Sequence, residues 1–157
     1  MRRLSGVVLA GALLLVPAAF SFGDGKVHAQ AAPPLTFDTD TAIMTVTIKP
    51  DKTADFEQIV SKVKEALMKS DKPNRKEQAA GWKLLKGTTA MKDGTIIYMH
   101  VISPVVKGAD YGILPILYEV FTDPAEQRKL FEQYRDSFAA NLGNGTYNTV
   151  LDLSKAP

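Results

Sequence analysis

The first regular pattern in the chain is an alternation of apolar and threonine side chains over residues 42–48. A period of two with β-branched residues is typical of a strand. After Pro50 the period changes, because apolar side chains recur at three- and four-residue spacing over residues 54–69, which predicts one buried face of a helix. That apolar stripe consists of Phe56, Ile59, Val60, Val63 and Leu67.

Two further strands are predicted in the middle of the chain. Residues 70–78 are polar, rich in lysine and arginine and interrupted by Pro73, so we expect a solvated loop there. Apolar runs follow at residues 81–86 and 95–102, and the Asp-Gly pair at 93–94 between them is a strong turn signal. These two runs therefore predict a pair of strands joined by a turn.

The run at residues 95–102 is apolar at consecutive positions and does not alternate. Continuous apolarity in a strand indicates that both of its faces are covered. Helices of the same chain can cover one face, and the sheet of a second copy is the simplest cover for the other. The sequence therefore predicts a homodimer.

The C-terminal part of the chain predicts two helices and a last strand. Residues 113–121 are apolar all round with helical spacing, which indicates a short helix. Asp123 is followed by a proline and then by an acid at the third position, a typical start for a second helix that we expect to run to about residue 140. The glycine-rich residues 141–145 predict its end, and residues 147–153 predict the final strand.

The predicted order is β-α-β-β-α-β with one short extra helix, which is the ferredoxin-like pattern of the α+β class. We expect a four-stranded antiparallel sheet with helices on one face. The single domain is predicted over residues 41–157. Residues 30–40 are interpreted as a flexible linker in which Leu35 and Phe37 pack onto the domain.

Residues 1–29 have the features of a secretory signal peptide. Arg2 and Arg3 form a positive start, residues 6–20 are uncharged and largely apolar, and Val-His-Ala at 27–29 precedes a cleavage point. The apolar run is shorter than the about 20 residues that a membrane-spanning helix needs, although an uncleaved N-terminal anchor is the alternative. We therefore expect an exported protein, periplasmic or secreted, with no membrane attachment after cleavage.

The net charge of +2 comes from this N-terminal segment. Residues 1–29 hold three of the 19 basic and one of the 17 acidic residues, which leaves 16 of each in the rest of the chain. A charge-balanced domain is not expected to bind nucleic acid. The chain has no cysteine, so an exported protein of this sequence depends on its core or on association for stability.

The order and texture of the elements resemble the dimeric α/β-barrel superfamily, which includes the antibiotic-monooxygenase-like proteins. The resemblance implies that two four-stranded sheets face each other across a dimer, with the helices outside and a small molecule held between sheet and helices. Some members of that family oxidise their ligand without a cofactor, and some bind or degrade haem through a helical histidine. The residues that carry the resemblance are the first strand to Ile48, residues 81–85, 94–102, 110–111 and 116–119, and the helix after Pro124.

The inventory of reactive side chains excludes several chemistries. Once the predicted signal peptide is removed, His100 is the one remaining histidine. A zinc site needs three or four nitrogen, sulfur or carboxylate ligands, and non-haem iron prefers two histidines, so one subunit lacks either pattern. The sequence also contains no phosphate-binding loop and no dinucleotide fingerprint. We therefore expect no metal and no cofactor, and His100 on a predicted strand does not favour haem.

The candidate site is a pocket lined by aromatic side chains. His100 lies two residues after Tyr98 on the same strand face, either as a ligand-facing catalytic base or as a histidine satisfied in the core. Trp82 either stacks on a ligand or packs in the core. Tyr111 lies just before the apolar segment 113–121 and Tyr118 lies within it, and this segment is either a lid or a plain buried helix.

Two functions fit these observations. The first is an exported homodimer that binds a small apolar or aromatic molecule and, in its monooxygenase-like form, oxidises it with His100 as the base. The alternative is a non-catalytic structural or interaction homodimer whose cavity is filled by its own side chains. An open cavity that reaches His100 or Tyr111 would favour the first function, and a closed, dry interior would favour the alternative.

Overall fold

A computed structural model describes residues 34–154, so the predicted signal peptide and the start of the predicted linker lie outside the described residues. The elements in chain order are β1 (Thr41–Ile48), a 3-10 turn (Pro50–Lys52), α1 (Thr53–Lys69), α2 (Pro73–Gly81), β2 (Trp82–Lys86), β3 (Ile96–Ile102), α3 (Ile113–Val120), α4 (Pro124–Ser137) and β4 (Phe138–Tyr147).

The four strands form one antiparallel sheet in the order β2-β3-β1-β4. This is the α+β, ferredoxin-like architecture that the sequence predicts, with two of its strands in the centre and β2 and β4 at the edges. Side chains on one face of the central strands are buried, among them Val46, Tyr98 and Ile102, and those on the other face are more exposed. Within the described part of the chain, no helix is both long enough and apolar enough to cross a membrane.

The helices follow from the predicted patterns. The stripe on α1 is buried at Phe56, Ile59 and Val63, and this helix packs against α2, α3 and α4. The start of α4 has the predicted cap, because the Asp123 carboxylate accepts a hydrogen bond of 2.9 Å from the Glu126 backbone N–H. Helix α3 buries its apolar side chains in the core beside α1.

The prediction of a solvated loop over residues 70–78 is wrong. Helix α2 begins at Pro73, because a proline in the first helical turn loses no hydrogen bond and its φ angle suits a helix. The basic character of the stretch is also misleading, since the Arg75 side chain is only 3% exposed and Gln78 is fully buried. Part of this polar segment therefore belongs to the interior.

The prediction of the last strand is also wrong. Strand β4 is Phe138–Tyr147, so it begins directly after α4 and contains the glycine-rich residues 141–145 that were expected to form a turn. Its pairing with β1 has two register shifts, and Gly143 near one of them has a φ of +96°, which favours glycine. Residues 148–154 form no strand, and Val150 there is 99% exposed. An exposed edge strand needs no apolar alternation, so its sequence carries little strand signal.

The segment before β1 packs on the domain. The Leu35 N–H donates to Asp110 Oδ1 at 2.9 Å, and the Leu35 carbonyl accepts from the Tyr111 N–H at 2.8 Å. The Phe37 ring is buried and lies 5.6 Å from the ring of Tyr111, centroid to centroid. The described part of the predicted linker is therefore held by specific contacts.

Candidate functional site

An open groove of about 620 Å³ lies between α1, α2 and the edge strand β2. Its centre is apolar, with valine, leucine, methionine and alanine side chains from the two helices and Trp82 and Leu84 from the strand. Its polar side chains lie on the helices. The lining consists of Glu57, Val60, Ser61, Val63, Lys64, Leu67, Met68, Lys76, Ala79, Ala80, Trp82 and Leu84.

The junction between α2 and β2 shapes one wall of this groove. Helix α2 ends at Gly81 and the strand begins at the next residue, so Ala79, Ala80 and Trp82 reach the groove from one short segment. A Cβ atom on Gly81 would lie 2.5 Å from the Pro104 carbonyl oxygen, so only glycine permits this close approach. Alanines on α2 leave space that larger side chains would fill.

A buried ion pair fixes α2 against α3. The Arg75 guanidinium donates from Nε and Nη2 to the two oxygens of Glu119, at 3.1 and 2.5 Å, and from Nη1 to the Asp110 carbonyl at 2.6 Å. Burial raises the pKa of Glu119, but hydrogen bonds from Arg75 and Lys72 outweigh it and lower that pKa to about 2. The carboxylate is therefore ionised at neutral pH, and the pair holds the groove wall in place.

Trp82 is positioned by His100. The Trp82 Nε1–H donates to His100 Nδ1 at 3.1 Å, and the two rings meet edge to face with centroids 5.7 Å apart. An indole can only donate, so Nδ1 carries no proton and the neutral imidazole has its proton on Nε2. Burial lowers the pKa of His100 to about 4, and its side chain is 3% exposed. His100 is therefore neutral at pH 7 and acts on Trp82 as an acceptor.

One end of the groove is marked by Glu57. Its Oε1 atom accepts hydrogen bonds from Tyr98 Oη at 2.5 Å and from Lys86 Nζ at 2.8 Å. The hydrogen bond from Lys86, followed by that from Tyr98, lowers the pKa of Glu57. The negative charge at this end is thus balanced by a lysine of the same chain.

Lys64 and Lys76 also line the groove. Lys64 lies seven residues after Glu57 on α1, and Lys76 is on α2. Among residues 34–154, neither ammonium group makes an ion pair or a side-chain hydrogen bond. Their positive charge is therefore not balanced within the described part of the chain.

The structure brings together some of the residues that the sequence analysis selected. Trp82 lines the groove, His100 lies behind it, and Tyr98 reaches the groove through Glu57. The predicted pair of Tyr98 and His100 does share one face, and that face is the one covered by the helices.

The other two tyrosines lie away from the groove lining. Tyr111 is fully buried, and its hydroxyl accepts from the Val106 N–H at 2.8 Å. Tyr118 packs on the core of α3, with its hydroxyl 3.4 Å from the Gln127 carbonyl oxygen. Of the two interpretations of segment 113–121, the buried helix is the one that the packing of α3 supports.

Four polar residues at or behind the groove were missed by the sequence analysis: Glu57, Lys64, Arg75 and Lys76. Glu57 and Lys64 flank the apolar stripe of α1 on the side that faces β2. The stripe predicts which face of the helix is buried, but it does not predict which flank of that face contacts another element. The other two fall in the segment that was expected to be a loop. If residues 73–81 had been interpreted as a helix with proline at its first position, Arg75 and Lys76 would have been identified as candidates.

No metal site is found in the described part of the chain, where His, Asp and Glu nowhere form a group of three that could hold an ion. Comparisons of the chain with models of known families, with curated proteins and with solved structures find no match.

Proposed function

We propose that this protein binds a small apolar or aromatic molecule in the groove between α1, α2 and β2. The observation that carries the proposal is the groove itself, which is open, apolar at its centre and polar at a few positions. Its volume of about 620 Å³ falls within the about 300–1,000 Å³ typical of ligand sites. The lining includes neither His100 nor Tyr111, so the groove supports binding beside the sheet edge, and a core filled by the chain's own side chains stays the alternative.

The finer proposal is an exported, antibiotic-monooxygenase-like protein. The ferredoxin-like sheet and the position of the groove between sheet and helices support the likeness, and the N-terminal sequence pattern supports export. For His100 the contacts favour a positioning role, because its Nδ1 is used by Trp82 and its pKa is lowered to about 4. A catalytic role for His100 stays a prediction that turnover by a His100→Ala variant would test.

We also propose that the protein is a homodimer. The sheet face opposite the helices carries apolar side chains of β2 and β3 that are partly exposed in a single chain, with Met99 36% and Leu85 46% exposed, beside Thr45 and Lys83 on the neighbouring strands. Ile97 and Val101 lie on the same face of β3 and are only partly buried. A second copy of this face would cover these side chains and would explain why β3 is apolar on both sides. The same face also suits the alternative of a non-catalytic interaction homodimer.

Native mass spectrometry of the protein purified from its own cells tests the binding proposal. We expect a bound small molecule, and we expect Ala80→Phe to abolish it, because the phenyl ring enters the groove from α2. Glu77→Phe is the matched control, since Glu77 is an exposed residue of the same helix outside the groove lining. Protein that carries no small molecule, or equal amounts of bound small molecule on Ala80→Phe and Glu77→Phe, would contradict the proposal.

A further inference from the structure

We propose that the ligand is an amphipathic acid whose carboxylate binds between Lys64 and Lys76 and whose apolar body lies against Trp82. This inference rests on the proposed function, because it names the class of molecule that the same groove takes. It is carried by the distribution of charge around the groove, whose polar lining is Glu57 and Ser61 besides the two lysines.

Lys64 differs from the other lysines on or beside α1. Lys52, Lys62 and Lys69 on or beside α1 are each paired with a carboxylate, at 3.0, 3.5 and 2.6 Å. Lys64 is on the same helix and has no such partner within residues 34–154. Lys64 and Lys76 are both exposed, and an anion in the groove would give each of them a carboxylate partner.

Charge is distributed unevenly along the groove. Glu57 and Lys64 are seven residues apart on α1, which corresponds to about 10 Å along the helix axis. The charge of Glu57 is paired with Lys86, whereas Lys64, further along α1, has no ion-pair partner within residues 34–154. The apolar side chains Val60, Val63 and Leu84 lie in the lining as well. This arrangement suits a molecule with an apolar body of about ten ångströms and one acidic end.

Because the groove is open to solvent, the two lysines are expected to add only modestly to the affinity for an anion. Lysine–carboxylate pairs at an exposed rim contribute little to binding free energy, so two such pairs correspond to about a two- to thirty-fold gain in affinity. The gain decreases with added salt, because exposed charges are screened. The apolar body of the ligand supplies the rest of the affinity, and this contribution should not depend on the two lysines.

The test compares decanoate with decan-1-ol, which has the same chain length without the charge. Trp82 is the only tryptophan of the chain and lines the groove, so its fluorescence reports binding of either probe. We expect decanoate to bind about two- to thirty-fold more tightly than decan-1-ol at low salt. The Lys64→Met/Lys76→Met variant should lose this preference and keep its affinity for decan-1-ol.

The control is Lys92→Met/Lys107→Met, which removes the same charge from exposed loop positions outside the groove lining. It should retain the full preference for decanoate. If both probes bind equally and the groove variant binds like the control, the acidic ligand is ruled out while the proposed function stands. If neither probe binds the unmodified protein, this inference and the proposed function both fail.

Discussion

Replacing His100 with asparagine should remove a pH dependence from the stability of the fold. The carbonyl oxygen of the asparagine side chain would stand near the position of Nδ1 and still accept the Trp82 Nε1–H, but it does not titrate. In the unmodified protein, burial lowers the pKa of His100 from 6.5 to about 4. The folded state therefore resists protonation of a side chain that the unfolded state protonates readily.

The sign and size of the effect follow from this difference. Well above pH 6.5 the imidazole is neutral in both states and contributes no pH dependence. As the pH falls from 6.5 towards about 4, only the unfolded state takes up the proton, so the free energy of unfolding decreases. Between pH 7 and pH 5 this loss is about 2 kcal/mol.

The measurement is urea denaturation of the unmodified protein and of His100→Asn at pH 7, 6 and 5, followed by far-UV circular dichroism at one protein concentration. Glu119 does not interfere in this window, because a carboxylate with a pKa lowered to about 2 contributes stability above pH 4.5 and loses it only below. We expect the difference between the two proteins to change by about 2 kcal/mol from pH 7 to pH 5.

Parallel pH profiles for the two proteins would refute this reasoning. Such a result would mean that His100 titrates in the folded state as it does in the unfolded state, which is inconsistent with a buried imidazole that accepts from Trp82. The chain's other histidine, His28, is present or absent equally in both proteins and cancels in the comparison.

Three further outcomes are expected. Glu119→Gln should lower the free energy of unfolding by about 3 kcal/mol, because it leaves the buried Arg75 without its ion-pair partner. Glu126→Gln, at a more exposed ion pair, should lower it by under about 1 kcal/mol, and urea denaturation measures both values. Light scattering of the unmodified protein should give a dimeric mass at micromolar concentration, and a monomeric mass would refute the dimer. Met99→Glu, on the open sheet face, should be monomeric, whereas Met91→Glu, in the loop before β3, should still be dimeric. Asp123→Ala should cost about 1 kcal/mol by removing the α4 cap, and an unchanged thermal unfolding curve would show that the cap is dispensable.

The parts of the fold that were predictable are those whose burial is periodic along the chain. The stripe on α1 and the alternation in β1 place one set of side chains in the core, and the cap at Asp123 fixes the start of α4. Strand β4 was missed because it lies at the exposed edge, where backbone pairing to β1 rather than side-chain burial defines it. Helix α2 was missed because its buried members include Arg75 and Gln78, whose polarity suggests a surface.

The candidate site was only partly predictable for a related reason. Tyr98 and His100 could be placed on one face of β3 from strand periodicity, whereas the register that puts Trp82 on the same face is seen only in the structure. Whether an aromatic side chain meets open space or another side chain depends on the tertiary packing around it. Tyr111, for example, is close in sequence to the apolar helix α3 but packs against Phe37 from the segment before β1. The groove itself depends on α2, which the sequence analysis did not predict.

Nuclear magnetic resonance of the ¹⁵N-labelled protein during titration with decanoate tests the central claim most directly. The single tryptophan, Trp82, gives one indole N–H signal. Trp82 lines the groove, and its indole N–H is hydrogen-bonded to His100. We expect this signal and the backbone signals of residues 79–84 to shift with increasing decanoate, and Ala80→Phe to abolish the shifts. Shifts confined to the open sheet face around Met99, or none at all, would contradict a binding groove between α1, α2 and β2.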